Sequence, residues 1–450
     1  MSKVTLINHS SLLISLNGNQ SFILTDFWNE SPAFGSWLPS ALPFFNPVYL
    51  ASLSYEKNFY LAISHAHDDH IDDYFLKKYF NKDVNIIIPE YPSPSLKNRV
   101  KNMGFENVIS INNKIKKINN FEVFSIYDPE ISGDDSGLTF RDEKFCVHHG
   151  NDNWFVMKEK NISRLKNFKG ERTLLYASQA NTASGHPITY PQLENNIDNE
   201  LKNKIKTMVL AGLKNSEKLS ADYFLPYAGY TKPYVKNTDY LNKTFNPIYQ
   251  NLKNLVKNEK IKNLDKMIDI FCGGTINLKN GEITYPFPVT PEKVFSTTSQ
   301  YLNEEGKINN CDTFREDFKD TNFDFENVGL YLKKFNEFVV NFLKRKNNFY
   351  PSIIGKKLKF TLEDPKTSKN VFSKCIEIGS GKVIEDIEKP NKEFIIPLNL
   401  FKVLYEKKIV FENLYTGYQA KVFRHPPNIY NRDIIMYLDM FGYVYAKKKD

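Results

Sequence analysis

The stretch Tyr60–Leu76, "YLAISHAHDDHIDDYFL", places three of the chain's eight histidines and two aspartates in the six residues His65–His70, directly after a short apolar run. On an extended segment residues two apart point the same way, so His65 and His67 can share one metal ion. Asp69 and His70 follow where the chain turns into a helix, predicted from the aromatic and leucine spacing of "DDYFLKKYF". From there they can approach from the other side and hold a second metal. Imidazole and carboxylate suit zinc, iron and manganese alike. A histidine pair with a carboxylate also meets the needs of a centre that keeps positions open for water or substrate. The alternative is a polar loop that is merely rich in histidine; residue identity, spacing and placement between strand and helix together favour the metal.

The rest of the chain is consistent with a two-part protein. At 450 residues it exceeds one ordinary domain. Hydrophobic residues make up 41% and aromatics 14%, yet runs such as "NIIIP" and "FIIPLNLF" fall far short of the roughly 20 apolar residues a membrane span needs. The start, "MSKVTLINHSSLLISLNG", alternates like a strand and lacks the apolar core of a signal peptide. A cytoplasmic protein with no membrane association is expected. The four cysteines, Cys146, Cys272, Cys311 and Cys375, form no C-x-x-C, and are expected reduced in the interior. Cys146 and His148 make a C-x-H, but no C-x-x-H follows to complete a Rieske cluster site. The net charge of +8 comes from lysines scattered along the chain. That reads as a solvated surface rather than a nucleic-acid stripe, and would steer an anionic small substrate.

Along the chain, "KVTLINHSSLLISLNG" and "QSFILTDFW" form a predicted meander, followed by strand, motif loop, helix and the buried strand "VNIIIP". "FEVFSIYD", "SGLTF", "KFCVHH" and "TLLYAS" add strands, and Leu193–Asn215 reads as an amphipathic helix. Strands with helices outside them imply a layered α/β sandwich over residues 1–290. Residues 291–450 mix long helical patterns with strands such as "KKLKFTLED" and carry no obvious catalytic cluster, as expected of a smaller mixed α/β domain.

"HAHDDH" resembles the H-x-H-x-D-H signature of the metallo-β-lactamase fold, in its usual place after an apolar strand and before a helix. The resemblance implies a four-layer αββα sandwich and one or two divalent metal ions, Zn or Fe or else Mn, held by His65, His67, Asp69 and His70. It implies a further carboxylate at a later strand end, for which Asp152 is the match, with His148 and His149 as ligands or as hydrogen-bonding neighbours. Asp134 and Asp135 stand where relatives place a third metal-binding histidine. Asp26 resembles the aspartate that orients the ligand loop, and His9 lies near the sheet's active edge in relatives but alone is more often structural. The fold's last histidine ligand has no counterpart between His186 and His425, so either His186 moves into that role or the second site is incomplete; His186, expected as a catalytic residue, has a substrate-facing place as its other reading.

The segments "YASQANTASGHPITY", "YFLPYAGYTKPYV" and "VLYEKKIVFENLYTGYQAKVFRHPPNIYN" are similar to parts of the CMP-N-acetylneuraminate hydroxylase family, outside its Rieske domain. Asn181, Ser184, Tyr227 and Tyr230, on the first two, are expected to bind substrate. With an intact metal motif and no Rieske cysteines, the expected activity is hydrolysis of an anionic small molecule, such as a nucleotide-sugar or sugar derivative, by water activated to hydroxide at the metal. The alternative is a non-haem iron oxygenase served by a separate ferredoxin or Rieske partner. A scaffold with a decayed site is the third reading.

Overall fold

In the computed structural model the described residues are 2–18, 20–29, 31–39, 47–128, 135–153, 155–180, 185–229, 231–233, 252–259, 261–286, 288, 325–345, 351–385, 389–405, 409, 411–427 and 434. Contacts divide the chain into two units, one of Met1–Ala33, Trp37–Ala183 and Leu201–Cys311, the other of Phe34–Ser36, Ser184–Glu200 and Asp312–Asp450. The second unit thus draws in two short segments from earlier in the chain. The boundary expected at residue 290 falls outside the described residues.

The first unit is built on two sheets. In chain order its strands are β1 (Lys3–Asn8), β2 (Ser11–Leu16), β3 (Ser21–Thr25), β4 (Trp37–Pro39), β5 (Phe59–Ala62), β6 (Asn85–Pro89), β7 (Val108–Ile111), β8 (Lys116–Ile118), β9 (Phe121–Tyr127), β10 (Ser136–Arg141), β11 (Phe145–His149), β12 (Thr173–Gln179), β13 (Tyr223–Tyr227), β14 (Thr231–Pro233), β15 (Thr275–Asn277) and β16 (Ile283–Thr284). One sheet runs β16-β15-β1-β2-β3-β5-β6-β7, the other β13-β12-β11-β10-β9-β8, and β14 pairs with β4. The parallel pairs β3–β5–β6–β7 and β11–β12–β13 need crossovers, and helices supply most of them. These are α1 (Pro47–Ser52), α2 (Asp73–Tyr79), α3 (Ser95–Asn102), α4 (Glu159–Lys169) and α5 (Ile197–Leu219), with α6 (Leu252–Val256) further on.

Side-chain alternation assigns the layers. Tyr60 and Ala62 face the apolar layer between the sheets, while Phe59, Leu61 and Ile63 face the layer under α1, α2 and α3. On the other sheet Leu175 and Ala177 point between the sheets, and Leu174 and Tyr176 pack under α4, α5 and α6. Strands covered on both faces are apolar at every position, which is why "YLAI", "NIII" and "TLLYA" show no alternation in sequence. The result is the four-layer αββα sandwich. The α2 start is fixed by Asp72, whose carboxylate accepts from the Phe75 amide at 3.0 Å.

The second unit holds a five-stranded sheet in the order β19-β18-β17-β20-β21. Its strands are β17 (Lys357–Glu363), β18 (Asn370–Glu377), β19 (Val383–Ile384), β20 (Lys392–Pro397) and β21 (Lys421–Arg424). With them go the helices α7 (Phe325–Arg345), α8 (Leu398–Tyr405) and α9 (Phe411–Tyr415), around a core that includes Val328, Phe360, Phe394, Phe401 and Phe411. Among the described residues no helix is long and apolar enough to cross a membrane. Cys146, Cys272 and Cys375 are buried free thiols, and Cys311 lies outside the described residues.

Leu175, fully buried between the sheets, sets a test of the layered core: Leu175→Ala is expected to cost about 2–5 kcal/mol in denaturant unfolding, against about 0.5 kcal/mol or less for Lys214→Ala on the exposed face of α5.

Candidate metal centre

The ends of β3, β5 and β11 and the turn between β1 and β2 bring their polar residues to one edge of the sandwich. Asp26 follows β3 with φ at +40°, a left-handed conformation that costs a non-glycine residue energy and turns its carboxylate inward. It is fully buried. Its Oδ1 accepts from the Ser64 amide at 2.7 Å, and Oδ2 from Ser64 Oγ at 2.7 Å, His70 Nδ1 at 3.1 Å, His149 Nε2 at 2.6 Å and Asn151 Nδ2 at 2.8 Å. Burial alone would raise this carboxyl; the facing His149 and His70 outweigh it and hold it well below the usual carboxylate range.

These bonds set the tautomers of the motif loop. Ser64 Oγ donates to Asp26, so it accepts from His65 Nδ1 at 2.8 Å and leaves His65 Nε2 as a lone pair. His70 Nδ1 faces Asp26 and Ser10 Oγ, so its Nε2 points the other way. There it lies 3.5 Å from Asp69 Oδ2 and 3.5 Å from Asp152 Oδ1. His65 Nε2 sits 2.8 Å from His67 Nδ1. Asp152 Oδ2 is 3.7 Å from the first and 3.8 Å from the second, and Asp135 Oδ1 stands at the same two distances. Ligand atoms on a tetrahedral metal with ~2.0–2.1 Å bonds are roughly 3.3 Å apart. The His65–His67–Asp152 triangle brackets that spacing.

A second group forms around Asp69, whose Oδ2 is 3.2 Å from His9 Nε2. His9 joins Asp69 and His70 in a buried set with ligand atoms within 4.8 Å of one another. Among the described residues His70 Nε2, Asp69 Oδ1 and Asp152 Oδ1 are buried without a hydrogen-bond partner, the state in which a donor set for a cation would be found. Burial first, and then the positive charge of His70 and His67, press His65 well below the usual imidazole value. Burial also opposes charge on His70, but Asp69 and Asp152 carry it well above that value. Asp69 and Asp152, which burial would raise, are lowered chiefly by His70.

Strand alternation separates the two neighbouring histidines of "CVHH". His149 shares the inter-sheet face with Val147 and reaches Asp26, while its Nδ1 accepts from Tyr227 Oη at 2.7 Å. Both ring nitrogens are therefore engaged, and His149, expected as a ligand, takes an orienting place. His148 faces the helices, bonded to Thr139 Oγ1 at 2.7 Å and stacked on Tyr176, and burial brings its pKa down to about 3. Tyr227, expected to face substrate, is 2% exposed, and its hydroxyl accepts from the Asn151 amide at 3.1 Å. It completes the wall instead. His186, expected as a catalytic residue or a ligand, belongs to the second unit, where its ring meets Tyr190. It is in none of the ligand sets found among the described residues. Asp134, Asn181, Ser184 and Tyr230 lie outside the described residues.

Ser10, Ser64 and Asn151 were not singled out in the sequence; only Asn151, one residue before Asp152, carried a positional hint. Cys146, the other half of the C-x-H, is buried, and its thiol is raised by that burial to about 12. It and His148 are core residues here.

No family model matches the chain. It is 32% identical over 114 residues to a protein of Mycolicibacterium smegmatis named as a Rieske 2Fe-2S iron-sulfur protein, covering 25% of this chain and 21% of that one. The chain thus spans about a fifth of the length of the curated relatives it matches. Among solved structures it is similar to one described as a possible metal-dependent hydrolase of Veillonella parvula, at 15% identity, covering 61% of this chain and 99% of that one, TM-score 0.41. It is also similar to the metallo-β-lactamase fold protein YhfI of Bacillus subtilis, at 14% identity, covering 55% and 93%, TM-score 0.32. The fold of the first unit is the metallo-β-lactamase sandwich: two stacked sheets, helices outside, and the H-x-H-x-D-H loop at the end of β5.

Asp26→Asn is expected to lower divalent-metal affinity 10- to 100-fold in a chelator-competition titration, because the ligand tautomers lose their anchor. It is also expected to cost about 3–5 kcal/mol in unfolding, because buried partners are left uncompensated. A depressed carboxyl contributes stability that is present above its unfolded value of ~3.9 and lost as pH falls through its folded value. The acid limb below about pH 4 should therefore be shallower in the variant than in the wild type.

Proposed function

We propose that this protein is a metal-dependent hydrolase with a dinuclear centre. The observation that carries the reading is Asp152, whose Oδ2 faces His65 and His67 while its Oδ1 faces His70. In this reading His65, His67 and Asp152, with Asp135 beside them, would hold one divalent cation, and His70, Asp69 and His9, with Asp152 next to them, would hold the other. His9 then stands in for the histidine that the fold usually supplies from its C-terminal part. Zinc, iron and manganese all suit this nitrogen and carboxylate set.

Such a metal pair lowers the pKa of a bound water towards neutrality and polarises the substrate bond. The chain's own part is to arrange and to move a proton. Asp26, through Ser64 and directly, holds His65 and His70 with their Nε2 atoms turned into the centre. Asp69 Oδ1, buried and without a hydrogen-bond partner among the described residues, would be placed to take a proton from water held there. The net charge of +8 supports an anionic substrate. The likeness of several segments to the CMP-N-acetylneuraminate hydroxylase family supports a nucleotide-sugar or sugar derivative.

A second reading, a non-haem iron oxygenase, draws on the Rieske name of the matched mycobacterial relative and on a centre rich in carboxylate. It would take electrons from a separate ferredoxin or Rieske protein.

Metal analysis of protein reconstituted with zinc should find two ions per chain, falling to one or none in Asp152→Ala. Hydrolysis of an activated phosphodiester or carboxylic ester should fall at least 100-fold in that variant and in Asp69→Asn. Full metal content and turnover in Asp152→Ala would sink the dinuclear assignment. Inactive zinc protein, with oxygen consumed by the iron form in the presence of a reductant, would move the function to the oxygenase.

A further inference from the structure

The second unit contains a buried guanidinium with no carboxylate among the described residues to balance it. Arg424 ends β21 at 5% exposure, opposite Lys392 of β20, which is 1% exposed. Its Cζ lies 4.6 Å from the centre of the Tyr190 ring, and Lys392 Nζ lies 5.9 Å from the same centre. Two cations thus lie near one aromatic ring. A buried charge is stable only when paired and hydrogen-bonded. Among the described residues Arg424 Nε has no hydrogen-bond partner, and Nη2 reaches only His186 Nε2, at 3.5 Å. No described carboxylate is within ion-pair distance of the guanidinium. The acids on the adjoining strands are committed elsewhere: Glu363 to Lys421 at 3.1 Å, and Glu393 to Lys359 at 3.6 Å and Thr361 at 2.8 Å.

The surroundings are built to keep the arginine in place. Its amide donates to Gln192 Oε1 at 2.8 Å and its carbonyl accepts from Gln192 Nε2 at 2.9 Å, so the segment carrying His186 and Tyr190 is tied to the strand on both sides. The Val422 amide donates to the Thr189 carbonyl at 2.7 Å. Tyr190 Oη meets Tyr415 Oη at 3.3 Å. At Gly185 any Cβ would lie 2.6 Å from the Tyr415 ring and carbonyl, so glycine is required for this close approach. His186 is half-buried beside the arginine. Because an arginine cannot give up its proton, His186 Nε2 is the acceptor of their contact, in the neutral form.

We propose that Arg424, with Lys392, Tyr190 and His186 around it, is an oxyanion-binding site that takes a phosphate or carboxylate group of a small-molecule ligand. An oxyanion supplies the acceptor that Nε lacks and balances the charge of the guanidinium; the planar fork of arginine suits either group. The site is independent of the metal centre and stands whether or not that centre is hydrolytic.

The test is a titration of the metal-loaded, full-length protein with inorganic phosphate and, separately, acetate at constant ionic strength. It follows the His186 ring by NMR in histidine-labelled protein, with His186→Gln assigning the signal. A saturable His186 shift with either anion supports the site, and the stronger anion names the group. Purely linear shifts with both overturn it. Arg424→Gln should weaken the binding at least 10-fold while Lys421→Gln, on the same strand, leaves it unchanged. If circular dichroism shows Arg424→Gln unfolded, Arg424→Lys keeps the charge and loses the fork, with a 3- to 10-fold loss expected. Wild-type affinity in a folded Arg424 variant overturns the proposal.

Discussion

The edge of the sandwich where the candidate centre lies depends on one carboxylate kept charged out of water. Asp26 can be buried as an anion only because five donors from β5, its loop and the end of β11 converge on it. Each donor is thereby fixed in direction. His65 and His70 turn their Nε2 atoms to the centre, His149 reaches Tyr227, and Asn151 stands next to Asp152. The left-handed backbone at Asp26 is the cost of that convergence, and the bonds it makes are what hold it there.

The second dependence is on strand pairing. β11 is antiparallel to β10 and parallel to β12, so its C-terminal end lies beside the start of β10 and the far end of β12. That brings Asp135 and Asp152 together opposite the motif loop of the other sheet. Gly150 gives its amide to the Ala177 carbonyl at 2.8 Å, and any Cβ there would sit 2.8 Å from that oxygen. Only glycine lets the chain leave the strand at that angle.

Much of this was readable beforehand. The apolar run before "SHAHDDH", the helix pattern after it and the turn residues between strands are local signals, and local signals place elements. His65, His67, Asp69, His70 and Asp152 were legible because their residue types and strand-end positions match a known signature. What was not legible depends on contacts between distant segments. Whether His148 or His149 turns inward follows from the register of β11, which neither residue encodes alone. Tyr227 was expected to bind substrate, and β13 buries it against Asn151 and His149. His9 was a solitary histidine with a structural reading, and only the pairing of β1, β2, β3 and β5 in one sheet puts it beside Asp69. Ser64 and Asn151 have no pattern at all; they are side chains that a buried anion requires. His186 invited assignment to the centre because a ligand was missing, yet it groups with the C-terminal strands through Gln192 and Arg424.

The donor atoms of the candidate centre come from both sheets: His9, His65, His67, Asp69 and His70 from one, Asp135 and Asp152 from the other. A cation held by such a set is a cross-link. It ties the first turn of the chain to the end of β11, closing a loop of the kind whose closure most restricts an unfolded polymer. A ligand bound only by the folded state adds about 2.7 kcal/mol of stability at a hundred times its dissociation constant. The sandwich would then behave as two half-cores riveted at one edge, with its mechanical coherence set by the free metal concentration around it.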